Sequence, residues 1–161
     1  MNTVITRVNY LDPKHANDLC LLMNTYAKDP MGGAEELNEE TLKKLPLELS
    51  KLPHAFSVLC YVDDTPAGLI NCFTQFSTFS CQPLVNIHDI VVVQQHRGKG
   101  LNQIMLNEVE KIAKEKGCCK LTLEVLEGND VAKSSYTKFG FSAYELDPKM
   151  GVALFWQKNI N

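Results

Sequence analysis

The stretch Ile90-Val91-Val92-Val93-Gln94-Gln95-His96-Arg97-Gly98-Lys99-Gly100-Leu101-Asn102-Gln103-Ile104-Met105 decides the fold, because an apolar strand-like run passes through a short glycine loop into an amphipathic pattern. Glycine at 98 and at 100 lets the backbone turn sharply and turn its N–H groups toward a ligand. The helix that follows presents unpaired amides and the positive end of its dipole. Arg97 and Lys99 add positive charge at the same place. The junction suits an anion of phosphate type, with an ordinary basic strand-to-helix turn as the other reading of the segment Gln95 to Gly100 taken alone.

Working outward, the helix is predicted from about Leu101 to Lys116, with Ile104, Met105, Val109, Ile112 and Ala113 on its apolar face and Gly117 as its stop. A strand over Cys119 to Leu126 follows, which completes a β-α-β unit. Upstream, residues 54–62 and 67–79 are β-rich runs around the turn Asp63-Asp64-Thr65-Pro66, and a third run spans Leu84 to Val93. The N-terminal part alternates as a strand from Thr3 to Tyr10. Asp12-Pro13 then starts a helix with Leu19, Leu22, Met23 and Tyr26 at helical spacing. Beyond the break at Asp29-Pro30-Met31-Gly32-Gly33, residues 35–52 carry a second helical pattern with Pro46 as an interruption. Asn129 or Asp130 can cap a short helix ending near Gly140, and two last strands are predicted at about 141–146 and 152–158. A meander joined to a β-α-β unit predicts an α/β fold: a twisted mixed sheet of six to seven strands flanked by about four helices.

The length of 161 residues suits a single domain, 1–161. A net charge of -3 argues against general nucleic-acid binding, so an anion has to be met by a local site. No apolar run approaches the roughly 18 residues that span a bilayer, and the first residues do not read as a signal peptide, so the expectation is a soluble, cytoplasmic protein without a membrane role. Cysteines at 20, 60, 72, 81, 118 and 119 form no CxxC pair and read as reduced packing residues, and His15, His54 and His96 have no partners that suggest metal, so none is expected. The acidic set Glu35, Glu36, Glu39 and Glu40 reads as a solvated helix face, with steering of a cationic ligand as the other reading.

Read together, Gln95-x-x-Gly98-x-Gly100, the strand before it, the helix after it, and Asn129-Asp130-Val131-Ala132-x-x-x-Tyr136-x-Lys138-Phe139-Gly140-Phe141 resemble the GCN5-related N-acetyltransferase superfamily. These motifs cover roughly residues 84–141, and the predicted element order fits over nearly the whole chain. The segments Gly68-Leu69-Ile70-Asn71 and Val85 to Val92 further resemble the small, often dimeric acetyltransferases acting on polyamines, thialysine-like amines or histone tails. The resemblance implies acetyl-CoA as co-substrate, a small-molecule or peptide amine as acceptor, and a homodimer.

It also implies a division of labour. Backbone groups of Ile90, Val91 and Val92 pair with the pantetheine arm as with an extra strand. Amides from Gly98 through Lys99, Gly100, Leu101 and Asn102 to Gln103 hold the pyrophosphate, with Arg97 and Lys99 beside it. Asn129 bonds to the cofactor and Ala132 gives it room. Tyr136 falls at the family position for a general acid, and a phenol of ordinary pKa about 10 can protonate a departing thiolate. In the polyamine-type subgroup a glutamate commonly stands where this chain has His88. His88 is therefore read either as the base or as a hydrogen-bonded structural histidine, and Asp89 either as a substrate-binding carboxylate or as a structural or dimer-interface residue. Their side chains are expected on opposite faces unless a bulge intervenes. Asn102 stands where many relatives carry another glycine. The leading expectation is an N-acetyltransferase working by direct amine attack; the alternative is a noncatalytic acyl-CoA-binding regulatory module.

Overall fold

The computed structural model describes residues 1–160, and in it the alternating segment Thr3–Arg7 forms β1. β1 pairs antiparallel with β2 (Ala55–Val62), placing Ile5 opposite Cys60. β2 turns into β3 (Thr65–Ser77) through Asp63 and Asp64, whose φ angles of 47° and 62° make a two-residue hairpin of the kind that matches strand twist. Aspartate tolerates that left-handed backbone better than most residues. The turn is tighter than predicted: Thr65 and Pro66 already belong to β3, and Pro66 sits beside a register shift at Cys60/Tyr61, where a missing N–H does least damage.

β3 pairs with β4 (Gln82–Val92), and β4 reaches β5 (Leu121–Leu123) through α3 (Leu101–Glu115), giving a parallel pair that runs from Val85–Leu121 to Ile87–Leu123. The sheet is mixed, with order β1-β2-β3-β4-β5. α1 (Pro13–Lys28) starts as predicted, with Asp12 accepting from the His15 N–H and proline in the first turn. α2 (Glu39–Ser50) begins later than predicted, because Gly33 and Ala34 adopt left-handed φ angles and the Leu37 N–H is taken by Asn24 Oδ1. It runs through Pro46, which is buried with Leu49 on the core side, and that burial offsets the lost backbone bond.

Two cores flank the sheet. Leu59, Tyr61, Leu69 and Val91 pack with Leu19 and Leu22 of α1 and Leu49 of α2. The alternate residues Val58, Cys60 and Ile70 are buried on the other face, which α3 covers with Met105 close to Gly68. Arg7 ties β1 to α3 through Glu108 and Glu115, each at 2.7 Å.

Met1–Leu123 forms one compact unit, and a second begins at Glu124. The second holds α4 (Asp130–Phe139), ended by Gly140, and a short 3-10 turn at Pro148–Met150. Among the described residues the number of helices, four, is as predicted, while the sheet has five strands rather than six or seven. The segments predicted as strands at 141–146 and 152–158 contribute one bridge, Glu145 to Val152. Their alternation is real in sequence, but alternation makes a strand only where a neighbouring edge supplies hydrogen bonds, and Leu146, Leu154 and Trp156 are exposed.

Candidate functional site

β5 accompanies β4 only as far as Ile87, so among the described residues the edge of β4 from His88 to Val92 has no strand beside it. The Val93 N–H donates to Ala67 O at 2.9 Å, back toward β3. Successive residues of a strand turn their amide groups to alternate edges, so Val92 and Ile90 address the open edge while Val91 addresses β3. Of the three residues expected to share one role, Val91 therefore differs: its side chain is in the α1 core and its backbone faces a strand.

The loop after β4 makes a 3-10 turn at Gln94–His96 and then passes through Gly98 (φ 74°) and Gly100 (φ 80°) into α3. A Cβ built on either glycine meets nothing within 4 Å, so this side of the loop opens to solvent. Gly100 caps α3 without a side chain, its carbonyl accepting from the Ile104 N–H. The first-turn amides of Leu101, Asn102 and Gln103 therefore point back toward the loop, with the positive end of the helix dipole behind them. Leu101 is buried and anchors that turn to the core.

The two basic residues of the loop behave differently. Lys99 is exposed beside His96. Arg97 turns the other way: Nη2 donates to Asp29 Oδ2 at 2.7 Å and Nε to the Val92 carbonyl at 3.0 Å. Its hydrogen bond, with that of the Met31 N–H, holds the Asp29 carboxyl below the ordinary carboxylate range.

His88 and Asp89 lie at the most informative irregularity of the sheet. Asn71 pairs with Asp89 and Cys72 with Ile87, which leaves His88 as an extra residue on β4. The bulge overturns the expectation of opposite faces. The His88 ring stands edge-on to Phe73 at 5.6 Å, and Phe73 packs on the α1 core; Asp89 accepts from Asn71 Nδ2 at 3.0 Å, and Asn71 also contacts Met23 of α1. Both side chains thus reach the α1 side. Tyr26 of α1 belongs to the same neighbourhood: burial first, then the charges of Asp89 and Asp29, push its hydroxyl up.

Sequence reading missed the polar chain behind Asp89. The Tyr10 hydroxyl meets Ser57 Oγ at 2.8 Å, and Ser57 Oγ donates to Asn71 Oδ1 at 2.6 Å. Ser57 and Asn71 are 1% and 4% exposed, inside apolar strands. A signal was present, namely a serine and an asparagine standing inside the otherwise apolar stretches 55–62 and 66–73.

In the second unit, Asn129 Oδ1 accepts from the Ala132 N–H at 3.1 Å and caps α4, so that oxygen already has a structural task. Tyr136 is half-buried, its ring edge-on to Phe141 at 6.0 Å. A left-handed Gly140 lets the Phe141 N–H return to the Tyr136 carbonyl, closing the helix end. Among the described residues, no group of three His, Cys, Asp or Glu side chains is placed to hold a metal, and no helix is long and apolar enough to cross a membrane.

Residues 21–141 match the acetyltransferase (GNAT) family. Streptothricin acetyltransferase of Streptomyces lavendulae is 36% identical over 63 residues, 39% of this chain and 33% of that protein, so the match spans a third of that relative's length. Thialysine N-epsilon-acetyltransferase of Caenorhabditis elegans is 26% identical over 125 residues, 77% of this chain and 75% of the relative. The solved structure of AAC(6')-Iy in complex with the bisubstrate analog CoA-S-monomethyl-acetylneamine has the same fold, with a TM-score of 0.78 at 16% identity over 99% of this chain and 100% of that one. A family match of this extent, on a sheet whose fourth strand loses its neighbour just ahead of a glycine loop, makes the chain a member of the acetyltransferase (GNAT) family.

Proposed function

We propose that this protein is an acetyl-CoA-dependent N-acetyltransferase that moves an acetyl group to a primary amine of polyamine, amino-acid or peptide type by direct attack. The observation that carries the reading is the open edge of β4 running into the loop at the N-terminus of α3. The residues present fit a CoA-type donor. Ile90 offers its backbone groups and Val92 its N–H to an amide-bearing arm, the Val92 carbonyl already accepting from Arg97, and the Gly98–Gln103 amides meet a pyrophosphate at a positive helix end, with Lys99 beside them. Acetyl-CoA, when bound, supplies an acetyl group activated as a thioester.

The chain's own residues then have three tasks. An alkylammonium has an ordinary pKa near 10, so a group at His88 or Asp89 takes its proton, directly or through water, before the amine attacks. Gly98 to Gln103 hold the donor against movement. Tyr136 gives its hydroxyl proton to the departing thiolate, a role supported by the family motif from Asn129 to Phe141. Asn129 and Ala132 belong to donor binding on the same motif. Residues 1–161 act in this reading as one acetyltransferase domain, in the cytoplasm and as a homodimer, the last supported by the subgroup resemblance.

Release of free CoA from acetyl-CoA, measured across polyamines, lysine analogues, aminoglycosides and peptide N-termini, tests the proposal. Turnover on an amine, lost in Tyr136→Phe with acetyl-CoA affinity kept, supports it. Saturable acetyl-CoA binding without turnover on the whole panel replaces it with the noncatalytic binding module, and absence of binding removes both.

A further inference from the structure

We infer that Asn71 is a positioning residue for the acceptor amine, holding the Asp89 side chain aimed through a one-way hydrogen-bond chain that starts at Tyr10; this rests on the acetyltransferase reading above. The direction of the chain follows from counting protons. Ser57 has one hydroxyl proton and gives it to Asn71 Oδ1, so the contact between Tyr10 and Ser57 requires Tyr10 to donate. Burial keeps Tyr10 protonated for that task, pushing its hydroxyl up against the smaller opposing effect of Ser57. With its carbonyl oxygen occupied by Ser57, the Asn71 amide must turn Nδ2 toward Asp89, where it donates at 3.0 Å. The flipped amide would set a carbonyl oxygen against the Asp89 carboxylate, with no proton between them. The carboxylate therefore accepts only one amide orientation, and that orientation fixes the direction of the bonds behind it.

The location gives the chain its purpose. Buried polar groups cost stability unless fully bonded, and an apolar pair at 57 and 71 would serve the core at least as well. Instead the polar residues lead from β2 across β3 to the bulge of β4, one residue before Ile90 turns its backbone to the open edge. The bulge sets Asp89 on the α1 face, and Asn71, pinned by Ser57 and in contact with Met23 Sδ at 3.1 Å, fixes where its carboxylate points. His88 has no such support; its ring leans on Phe73 and the residue is exposed. Asp89 is thus the preorganised member of the pair, placed to meet the ammonium of the acceptor.

Steady-state kinetics with the best amine of the panel, on the wild type, Asn71→Leu, Ser57→Ala, Asp89→Asn and the Asn71→Leu/Asp89→Asn double variant, decide the matter. Asn71→Leu is expected to lower kcat between about tenfold and a hundredfold, the scale of a small misplacement at a reacting centre, with the KM for acetyl-CoA within about twofold. The double variant is expected to be no slower than Asp89→Asn alone, because the asparagine acts only through the carboxylate. Ser57→Ala shows the same pattern more weakly and carries the test if Asn71→Leu does not fold. Losses that multiply in the double variant, or acetyl-CoA affinity that falls in step with kcat, overturn the role of Asn71 while leaving the acetyltransferase reading intact. A wild type that binds acetyl-CoA and acetylates nothing overturns that reading and this inference with it.

Discussion

Arg97 Nη2 bonds Asp29 Oδ2 at 2.7 Å, so the residue ahead of Gly98 is tied to the residue that ends α1. The pair links the start of the glycine loop to the end of the first helix. It also leaves Arg97 Nε on the Val92 carbonyl, one of the groups at the open edge of β4.

The pairing predicts a specific pH dependence. The Asp29 carboxyl lies below its ordinary value of 3.8 because Arg97 bonds its charged form. A depressed folded-state pKa contributes stability that is present above the unfolded value and lost as pH falls through the folded one. Arg97→Ala should therefore cost no more than about 1 kcal/mol near neutrality, given that Arg97 is half-exposed, and the gap to wild type should close on acidification below about pH 4. Thermal melts of both proteins from pH 7 downward check this, and a gap that widens in acid sinks it.

The glycine loop was legible from sequence because its requirements are local: a strand, glycines at 98 and 100, and a helix start are consecutive residues. The short helix α4, capped by Asn129 and carrying Tyr136, was legible for the same reason. The placement of His88 and Asp89 was not, because it depends on register. Whether His88 and Asp89 share a face turns on one skipped pairing opposite Asn71 and Cys72, and a bulge of that kind has no reliable signature in an alternating run. The chain from Tyr10 through Ser57 to Asn71 joins residues far apart in sequence, so only the assembled sheet brings it into view. The last strands failed for the opposite reason: their local pattern is good, but pairing is not a local property.

Gly68 should not tolerate alanine. A Cβ there would lie 2.8 Å from Met105 Cε and 3.1 Å from the Val91 carbonyl, and Met105 is fully buried, so its thioether cannot simply swing away. Gly68→Ala is expected to destabilise the protein by about 1–3 kcal/mol, the usual range for overpacking. Shortening the opposing side chain in Gly68→Ala/Met105→Val should recover part of that loss in chemical unfolding. Strict addition of the two penalties would show that the clash lies with the Val91 backbone.

The cysteines should divide cleanly in reactivity. Burial pushes Cys60 up to about 11 and Cys72 higher still, so both stay as thiols in the folded protein, while Cys81 and Cys119 are exposed. Iodoacetamide near pH 8 should label Cys81 and Cys119 first and reach Cys60 and Cys72 only on unfolding, which peptide mass mapping can follow. The same shifts predict alkaline weakness. A raised folded-state pKa gives stability that is complete below the unfolded value near 9 and is lost as pH rises through the folded one. Early labelling of Cys60 in the native protein would contradict both statements.

Gly98 and Gly100 provide the sharpest separation of folding from binding. Their φ angles of 74° and 80° lie where a Cβ is strained, yet a Cβ at either place meets nothing within 4 Å, so the penalty is one of backbone conformation and not of collision. Alanine at either position should then cost about 1 kcal/mol of stability, the scale of placing an ordinary residue in the left-handed region. Donor binding should suffer more, because a loop that relaxes toward negative φ moves several amides at once from the start of α3. An expected loss of about tenfold or more in acetyl-CoA affinity, about 1.4 kcal/mol or beyond, would exceed the folding penalty. Calorimetric titration beside thermal melts compares the two directly. Stability lost with affinity unchanged would mean that these glycines only turn the chain, and the pyrophosphate grip would have to be sought elsewhere.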